Sequence, residues 1–255
     1  MPPTLRLKYL SALLLSFSLY LHAGLAQSQW QVQKTGIEVS CSVFEPASQT
    51  VNHTVVLVHD KSGISDATLA MAEAMVDMGC QVIVPDLKAA LSSEQGTRSN
   101  WQVAYADRVS ELLDAVLLHA VEQEGKHGKL VVVGLGWGGT QAFELAARSR
   151  RPELVVVFGG QGPRLAAHCA RISAPIYGFY GTAERENFDQ VNQLTRYMLA
   201  SNKLFEPITF SQAEKNFMAQ NQHEHYRIPN QNARQEAMAR LKVILLNAEE
   251  RQAMR

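Results

Sequence analysis

A cluster of glycines at residues 134–139 offers the clearest candidate for chemistry in this sequence. The apolar run Leu-Val-Val-Val at 130–133 is typical of a buried parallel strand, and helical spacing begins at Thr140. A strand, a tight turn and a helix N-terminus build two kinds of site. One is the nucleophile elbow, whose turn lifts a reactive side chain above the sheet. The other is the phosphate-binding turn Gly-x-Gly-x-x-Gly, which Gly134, Gly136 and Gly139 satisfy.

The elbow interpretation puts a glycine where the nucleophile belongs. Gly136 is the central residue of the turn and has no side chain to attack a substrate. An elbow residue normally stores about 1–3 kcal/mol of backbone strain. Glycine adopts such backbone angles with little penalty. We therefore interpret Gly136 as turning a strained catalytic bend into a relaxed structural one, and we predict that Gly136→Ser lowers stability.

The dinucleotide interpretation meets a different difficulty. Its fingerprint also requires an acidic residue at the end of the next strand, to bind the ribose hydroxyls. That strand ends in Val157, Phe158 and two glycines, with no acid. The glycines also come mid-chain, after two predicted strands, which is where an elbow belongs. Dinucleotide binding is kept as a second alternative.

Strand and helix patterns alternate through the rest of the chain. Residues 31–44 alternate polar and apolar side chains, which predicts one or two antiparallel strands at a sheet edge. Buried strands are predicted at 55–59, 81–85, 129–133, 154–158 and 176–180, and a last strand at 204–210. Helices are predicted at 67–78, 101–124, 140–148, 188–200 and 233–247, and a surface loop at 92–100.

This alternation predicts an α/β fold with a mainly parallel central sheet and helices on both faces. Right-handed crossovers place the carboxyl ends of the parallel strands at one rim, where such sheets bind ligands. The loops after residues 59, 85, 133, 158, 180 and 210 should line that site. Lys61, Ser62 and Trp137 are the expected pocket residues, with the Trp137 N–H as oxyanion donor.

Five motifs in order resemble the dienelactone hydrolase-like branch of the α/β-hydrolase superfamily. The run 55–59 with Gly63 is similar to its first core strand and oxyanion loop, and 81–87 to the next strand with its Pro-Asp-Leu end. The turn 134–139 is similar to its Gly-x-Cys-x-Gly-Gly elbow. Residues 174–181 match the strand before its catalytic acid, and 210–217 stand where it has Tyr-Pro-Gly-Ala-x-His-x-Phe. The resemblance covers residues 55–247.

The resemblance implies hydrolysis of a carboxylic ester or lactone without a cofactor, by a nucleophile, a histidine and an acid. Carried over by position, the triad becomes Gly136, Glu184 and Lys215, so all three are substituted. Glutamate can replace aspartate as the acid. Lysine is a poor base near neutral pH, because its usual pKa is about 10.4 against about 6.5 for histidine.

We therefore expect a non-catalytic relative that binds a small molecule at the rim or acts structurally; a protein partner is not identified. The alternative is a weak hydrolase in which His223 or His225 activates water. His223, Glu224 and His225 also offer metal-ligand types, but a third ligand at suitable spacing is missing, so no metal site is predicted.

The amino terminus predicts export. Arg6 and Lys8 precede an apolar run at 9–21 and then the small residues Ala23 and Ala26, as in a secretory signal peptide. We place the peptide at 1–26, with cleavage after Ala23 as second choice and an uncleaved anchor as the alternative. Residues 27–255 then form a single domain in the periplasm or outside the cell, with no stable membrane insertion.

Charge and cysteine content bear on nucleic-acid binding and on disulfide formation. Without Arg6 and Lys8, 22 basic residues face 24 acidic ones, a formal charge of −2. Such a balance does not favour nucleic acid as a partner. Cys41, Cys80 and Cys169 lie in or beside apolar stretches, which favours three buried thiols over one disulfide and a free thiol.

Overall fold

The computed structural model describes residues 25–34, 36–47, 50–92, 106–123, 127–163, 165–219 and 223–253. Within these ranges one eight-stranded sheet carries the fold. Its strands are β1 Leu25–Lys34, β2 Ile37–Pro46, β3 His53–Val58, β4 Cys80–Pro85, β5 Leu130–Leu135, β6 Leu154–Phe158, β7 Ile176–Gly181 and β8 Phe205–Phe210.

The strand order is β1-β2-β4-β3-β5-β6-β7-β8. The β1–β2 and β2–β4 pairs are antiparallel, and every other pair is parallel. The chain crosses from β4 past β3 to β5, so β3 and β5 are neighbours in the sheet. The loops that follow these two strands therefore lie next to each other. This is the reason that the glycine turn and the His59–Gly63 loop meet.

Helices cover both faces of the sheet. They are α1 Asp66–Asp77, α2 Leu87–Ser92, α3 Ala106–Gln123, α4 Trp137–Arg148, α5 Ala166–Cys169, α6 Arg185–Ala200 and α7 Arg227–Ala253, with a 3-10 turn at Glu224–Tyr226. Buried side chains of α2 to α6 share one apolar cluster with one sheet face. Those of α1 and α7 share a second cluster with the other face.

The inner strands are fully buried because helices cover them on both sides. Every residue of β3, β4, β5 and β6 is buried. Continuous Val, Leu and Ile runs suit such strands, since both faces of the pleat meet apolar neighbours. The second cluster is closed by α7, whose buried Ala233, Ala237, Leu241 and Leu245 recur every four residues on one helix face.

The predicted α/β architecture is confirmed, with the central strands placed within two residues. The edge hairpin begins at Leu25 rather than 31, because the polar residues Gln27 to Gln29 are exposed on the outer strand. Helix α7 begins at Arg227 rather than 233, and Pro229 falls in its first turn, where a missing N–H costs little.

Other predictions meet the limits of the described ranges. The short helices α2 and α5 were not predicted. Residue 92 ends α2, so the predicted loop 92–100 begins one residue too early; the rest of it lies outside the described residues. The signal peptide up to residue 24 also lies outside the described residues, as do residues 101–105 and 124 of the helix predicted at 101–124. In the described part, no helix is long and apolar enough to cross a membrane.

Candidate functional site

The glycine turn has the shape of a nucleophile elbow. It leaves β5 at Leu135, and α4 starts two residues later at Trp137. Gly136 has φ 53° and ψ −112°, a left-handed conformation that side chains rarely adopt. The Gly136 N–H donates to the carbonyl of Phe158 at 2.8 Å, which ties the turn to the end of β6.

The carboxylate of Asp60 fills the space in front of this turn. Asp60 follows β3, and its Oδ1 accepts a hydrogen bond from the Trp137 N–H at 2.8 Å. A Cβ added to Gly136 would lie 2.6 Å from that same oxygen. Asp60 thus restricts the space that a nucleophile's side chain would need, and it binds the N–H that would otherwise be available to an oxyanion.

The Asp60 carboxylate also has a structural role. Gly136 is the N-cap of α4 and has no side chain to satisfy the first N–H groups of that helix. Asp60 supplies the missing acceptor from a neighbouring strand, and its negative charge lies at the positive end of the helix dipole. The elbow is therefore capped from outside its own loop.

A cavity of about 240 Å³ opens over the turn. Its walls are mostly apolar and come from the ends of β5 and β6, the start of α1 and the segment after β8. The lining residues are Asp60, Ser62, Ser65, Ala67, Thr68, Leu135, Gly136, Phe158 and 215–219. The cavity lies at the predicted rim. Among the described residues, however, the loops after β4, β6 and β7 do not line it, and β6 contributes only its last residue, Phe158.

The three predicted pocket residues lie in different surroundings. Ser62 lines the cavity, and its carbonyl accepts a hydrogen bond from Lys88 Nζ at 2.9 Å. Lys61 is exposed and does not contribute to the lining. Trp137 packs its indole against the first apolar cluster and stacks on the ring of His59, with 6.2 Å between ring centroids. Its N–H donates to Asp60, as described above.

His59 is a buried neighbour of this site. Its Nδ1–H donates to the carbonyl of Asp60 at 2.7 Å, which fixes the start of the loop. Burial lowers the pKa of His59, and the hydrogen bond to Asp60 and the charge of Asp86 oppose that shift only in part. His59 therefore stays neutral at lower pH than an exposed histidine.

The residues expected at the acid and base positions, Glu184 and Lys215, do not form a hydrogen-bonded relay. Lys215 lines the cavity, and its carbonyl lies against Gly159. Glu184 is exposed at the start of α6 and makes no capping hydrogen bond. In the part of the chain that the structure describes, neither Glu184 nor Lys215 takes part in an ion pair.

An acid and a histidine do pair nearby, in a combination that the sequence did not suggest. Glu214 accepts a hydrogen bond from His223 and a second from Asn230 Nδ2 at 2.8 Å. Asn230 is fully buried and also accepts from the Glu214 N–H at 2.8 Å. This network holds the segment after β8 to α7. The His223 side chain is 77% exposed and does not line the cavity.

The pKa values of this pair shift toward the charged forms. Burial opposes ionisation of Glu214, but hydrogen bonds from His223 and Asn230 outweigh it and lower the Glu214 pKa. The hydrogen bond and charge of Glu214, with the charge of Glu184, raise the pKa of His223.

His225, the other histidine proposed as a base, instead lies against the Tyr226 ring, with 3.9 Å between the ring centroids. No three metal-binding side chains are grouped within the described ranges.

The other two glycines of the phosphate-binding pattern, Gly134 and Gly139, allow close contacts between backbone segments. A Cβ on Gly134 would lie 2.3 Å from the carbonyl oxygen of Gly138, and one on Gly139 would lie 2.9 Å from Gly160. The first and third glycines have the same packing roles in dinucleotide-binding turns, and the second is the one that a pyrophosphate approaches. At that position, Gly136, the Asp60 carboxylate takes up the space in front of the turn. The Asp60 carboxylate at the helix N-terminus would also repel a phosphate.

The profile of the dienelactone hydrolase family matches residues 39–248 of this sequence. The chain belongs to the dienelactone hydrolase family. No curated protein sequence matches it. The predicted resemblance is thus confirmed, and the match extends beyond the motifs at 55–247 into β2.

Solved structures agree on the fold at low sequence identity. A putative dienelactone hydrolase from Klebsiella pneumoniae is 18% identical, with a TM-score of 0.68 over 85% of this chain and 98% of that chain. A dienelactone hydrolase-like promiscuous phosphotriesterase from metagenomic libraries is 16% identical, with a TM-score of 0.69 over 88% and 99%. A Pyrococcus furiosus esterase is 11% identical, with a TM-score of 0.67 over 88% and 91%.

Proposed function

We propose that this chain is an exported, non-hydrolytic member of its family that retains the family cleft as a binding site. The observation that carries the proposal is the position of Asp60. Its carboxylate accepts the hydrogen bond of the Trp137 N–H, and its Oδ1 lies only 2.6 Å from the position that the Cβ of a nucleophile would take. A carboxylate in that place repels a developing oxyanion, so it opposes the charge change that ester hydrolysis requires.

The cleft itself retains the properties of a ligand site. It is concave, largely apolar and of a size that suits a small organic molecule. Two groups of opposite charge, Asp60 and Lys215, contribute to its lining. Polar groups of this kind orient a ligand whose apolar part fills the rest of the cavity.

Export is supported by the amino-terminal sequence. Basic residues, an apolar run at 9–21 and small residues precede Gln27, in the order of a signal peptide. Strand β1 begins at Leu25, so cleavage after Ala26 leaves Gln27–Lys34 to pair with β2. The mature domain would then work in the periplasm or outside the cell.

An assay of purified 27–255 tests the loss of hydrolysis. We expect p-nitrophenyl acetate and dihydrocoumarin to disappear at the buffer rate, and a fluorophosphonate probe to leave the protein unlabelled. Turnover that falls in His223→Gln or His225→Gln would instead establish the water-activating alternative. Saturable quenching of tryptophan fluorescence by NAD would establish the dinucleotide alternative.

A thermal-shift measurement tests the cleft as a binding site. Benzoate, phenylacetate and phenethylamine serve as probes, since each has an apolar ring and one charge. A probe that binds the cleft should raise the Tm of the parent but not of Ala67→Trp, which fills the cavity wall. Ala200→Trp, at the exposed end of α6, is the matched control and should behave as the parent. Equal shifts in all three proteins would exclude the cleft.

A further inference from the structure

A groove of about 410 Å³ lies at the amino-terminal ends of the parallel strands, on the side of the sheet opposite to the cleft. It is formed by the segments that precede β6, β7 and β8, whereas the cleft lies beyond the carboxyl ends of the strands. We call it the basal groove. The side chains that give it charge and hydrogen-bonding capacity are Arg148, Ser149, Arg150, Arg171, Ser173 and Lys203.

The basal groove has a one-sided charge. Four of its lining side chains are cationic, and among the described residues no acid lines it. Arg150 and Arg171 are exposed, and Lys203 is half-buried. Within the described ranges, none of these three side chains makes an ion pair or a side-chain hydrogen bond. Grouping uncompensated cations costs free energy through repulsion, which an anion would relieve.

The acid beside the groove is already neutralised. Asp114, on α3, lies in a neighbouring cavity that shares Arg148, Ser149 and Arg150 with the groove. Its Oδ1 accepts hydrogen bonds from Ser149 Oγ at 2.6 Å and from Arg151 Nε at 3.2 Å. Asp114 thus fixes the loop after α4 and pairs with Arg151, and it leaves the charge of Arg150 uncompensated.

Helix dipoles account for only part of this charge. Helices α4, α5 and α6 all end at this edge, and their carbonyl ends favour cations in the last turn. Arg148 is in the last turn of α4. Arg150, Arg171 and Lys203 follow the helix ends by two or three residues, where the dipole effect has largely fallen off. These three side chains are therefore free to contact a ligand in the groove.

We propose that the basal groove binds a phosphate group through Arg150, Arg171 and Lys203. Guanidinium groups bind phosphate oxygens in pairs, and a lysine adds a compact charge. The Ser173 hydroxyl can contribute a further donor. The phosphate could belong to a free phosphorylated molecule or to a lipid headgroup of a membrane surface, and the chemistry of recognition is the same. This site is independent of the function proposed for the cleft.

Two probes test the proposal and separate the two sources. Inorganic pyrophosphate is titrated into 27–255 by calorimetry at about 20 mM salt, where charge interactions are weakly screened. Co-sedimentation uses vesicles of phosphatidylglycerol and phosphatidylcholine, with pure phosphatidylcholine for comparison. Pyrophosphate binding alone indicates a free ligand, and retention only on the anionic vesicles indicates a lipid headgroup.

Matched variants decide whether the groove is responsible. We expect Arg150→Gln/Arg171→Gln to weaken binding of the active probe about tenfold or more, through loss of two charge-assisted contacts. Arg240→Gln/Lys242→Gln removes the same charge from exposed positions on α7 and should change binding less than about twofold. Circular dichroism and Tm establish that both variants fold. Equal weakening in the two variants, or no binding of either probe to the parent, overturns the proposal.

Discussion

The Trp137 N–H donates a 2.8 Å hydrogen bond to the Asp60 carboxylate, which joins the turn after β5 to the loop after β3. In a hydrolase the corresponding N–H waits for substrate oxygen. Here the protein supplies its own anion. The missing side chain at Gly136 and the position of Asp60 in front of it are therefore two parts of one arrangement.

Gly136→Ser should destabilise the fold by more than its backbone strain. The new side chain takes a left-handed φ, which costs about 1–3 kcal/mol. It also meets Asp60 Oδ1 at 2.6 Å and must displace the cap of α4, for about 1 kcal/mol more. Urea unfolding followed by circular dichroism measures the free energy of unfolding.

Two comparisons isolate the Asp60 contact. Gly36→Ser has a similar φ of 81° with nothing within 4 Å, so it reports the strain without the clash. In an Asp60→Ala background the extra cost of Gly136→Ser should disappear. A Gly136→Ser protein as stable as the parent would count against both the strain and the clash.

Efficient hydrolysis should require changes at three positions together. Gly136→Cys supplies a nucleophile, Lys215→His a base, and Asp60→Ala frees the Trp137 N–H. A positioned base is worth about 10²–10⁴-fold, so the triple variant should exceed Gly136→Cys/Asp60→Ala by at least about 10² on p-nitrophenyl acetate. Equal activity in Gly136→Cys/Lys215→His, which retains Asp60, would show that Asp60 does not block the site.

The architecture and the elbow could be predicted because both follow from local patterns. Buried parallel strands are indicated by continuous runs of Val and Leu, and the glycines at 134–139 lie between a predicted strand and a predicted helix. The α/β order then places the rim without further information. These signals are enough to predict the position of the cleft and the missing side chain at the centre of the turn.

The occupant of the elbow could not be predicted, because it depends on distance between strands. The strand order places the loop after residue 59, and with it Asp60, at the rim, but the β3–β5 pairing is what brings its carboxylate to Trp137. The same holds for Glu214, His223 and Asn230, which are brought together by the fold of the segment after β8 against α7. An acidic residue directly after a central strand was the one available signal.

The three cysteines should remain unreactive in the folded protein. Cys41, Cys80 and Cys169 are buried free thiols, as the apolar context predicted. Burial raises the pKa of Cys41 to about 12, so little thiolate forms near neutral pH. Ellman's reagent should give no signal in buffer and three thiols per chain in urea. A count of one in urea would reveal a disulfide.

The Glu214–His223 pair should make stability depend on pH within a defined window. The His223 pKa is raised, so its contribution is fully present below the ordinary value of 6.5 and is lost as pH rises through the raised pKa. The Glu214 pKa is lowered, so its contribution is present above the ordinary value of 4.5 and is lost as pH falls through the lowered pKa. Both contributions therefore coincide between pH 4.5 and 6.5.

The measurement is the Tm of His223→Gln relative to the parent from pH 4 to 9. The loss of Tm should be largest inside that window and should shrink above it, because the parent's His223 then loses its charge. His168→Gln, which removes an exposed histidine on α5, is the control for the change of residue type. A His223→Gln difference that is constant from pH 5 to pH 9 would mean that the ion pair does not hold the segment after β8 to α7.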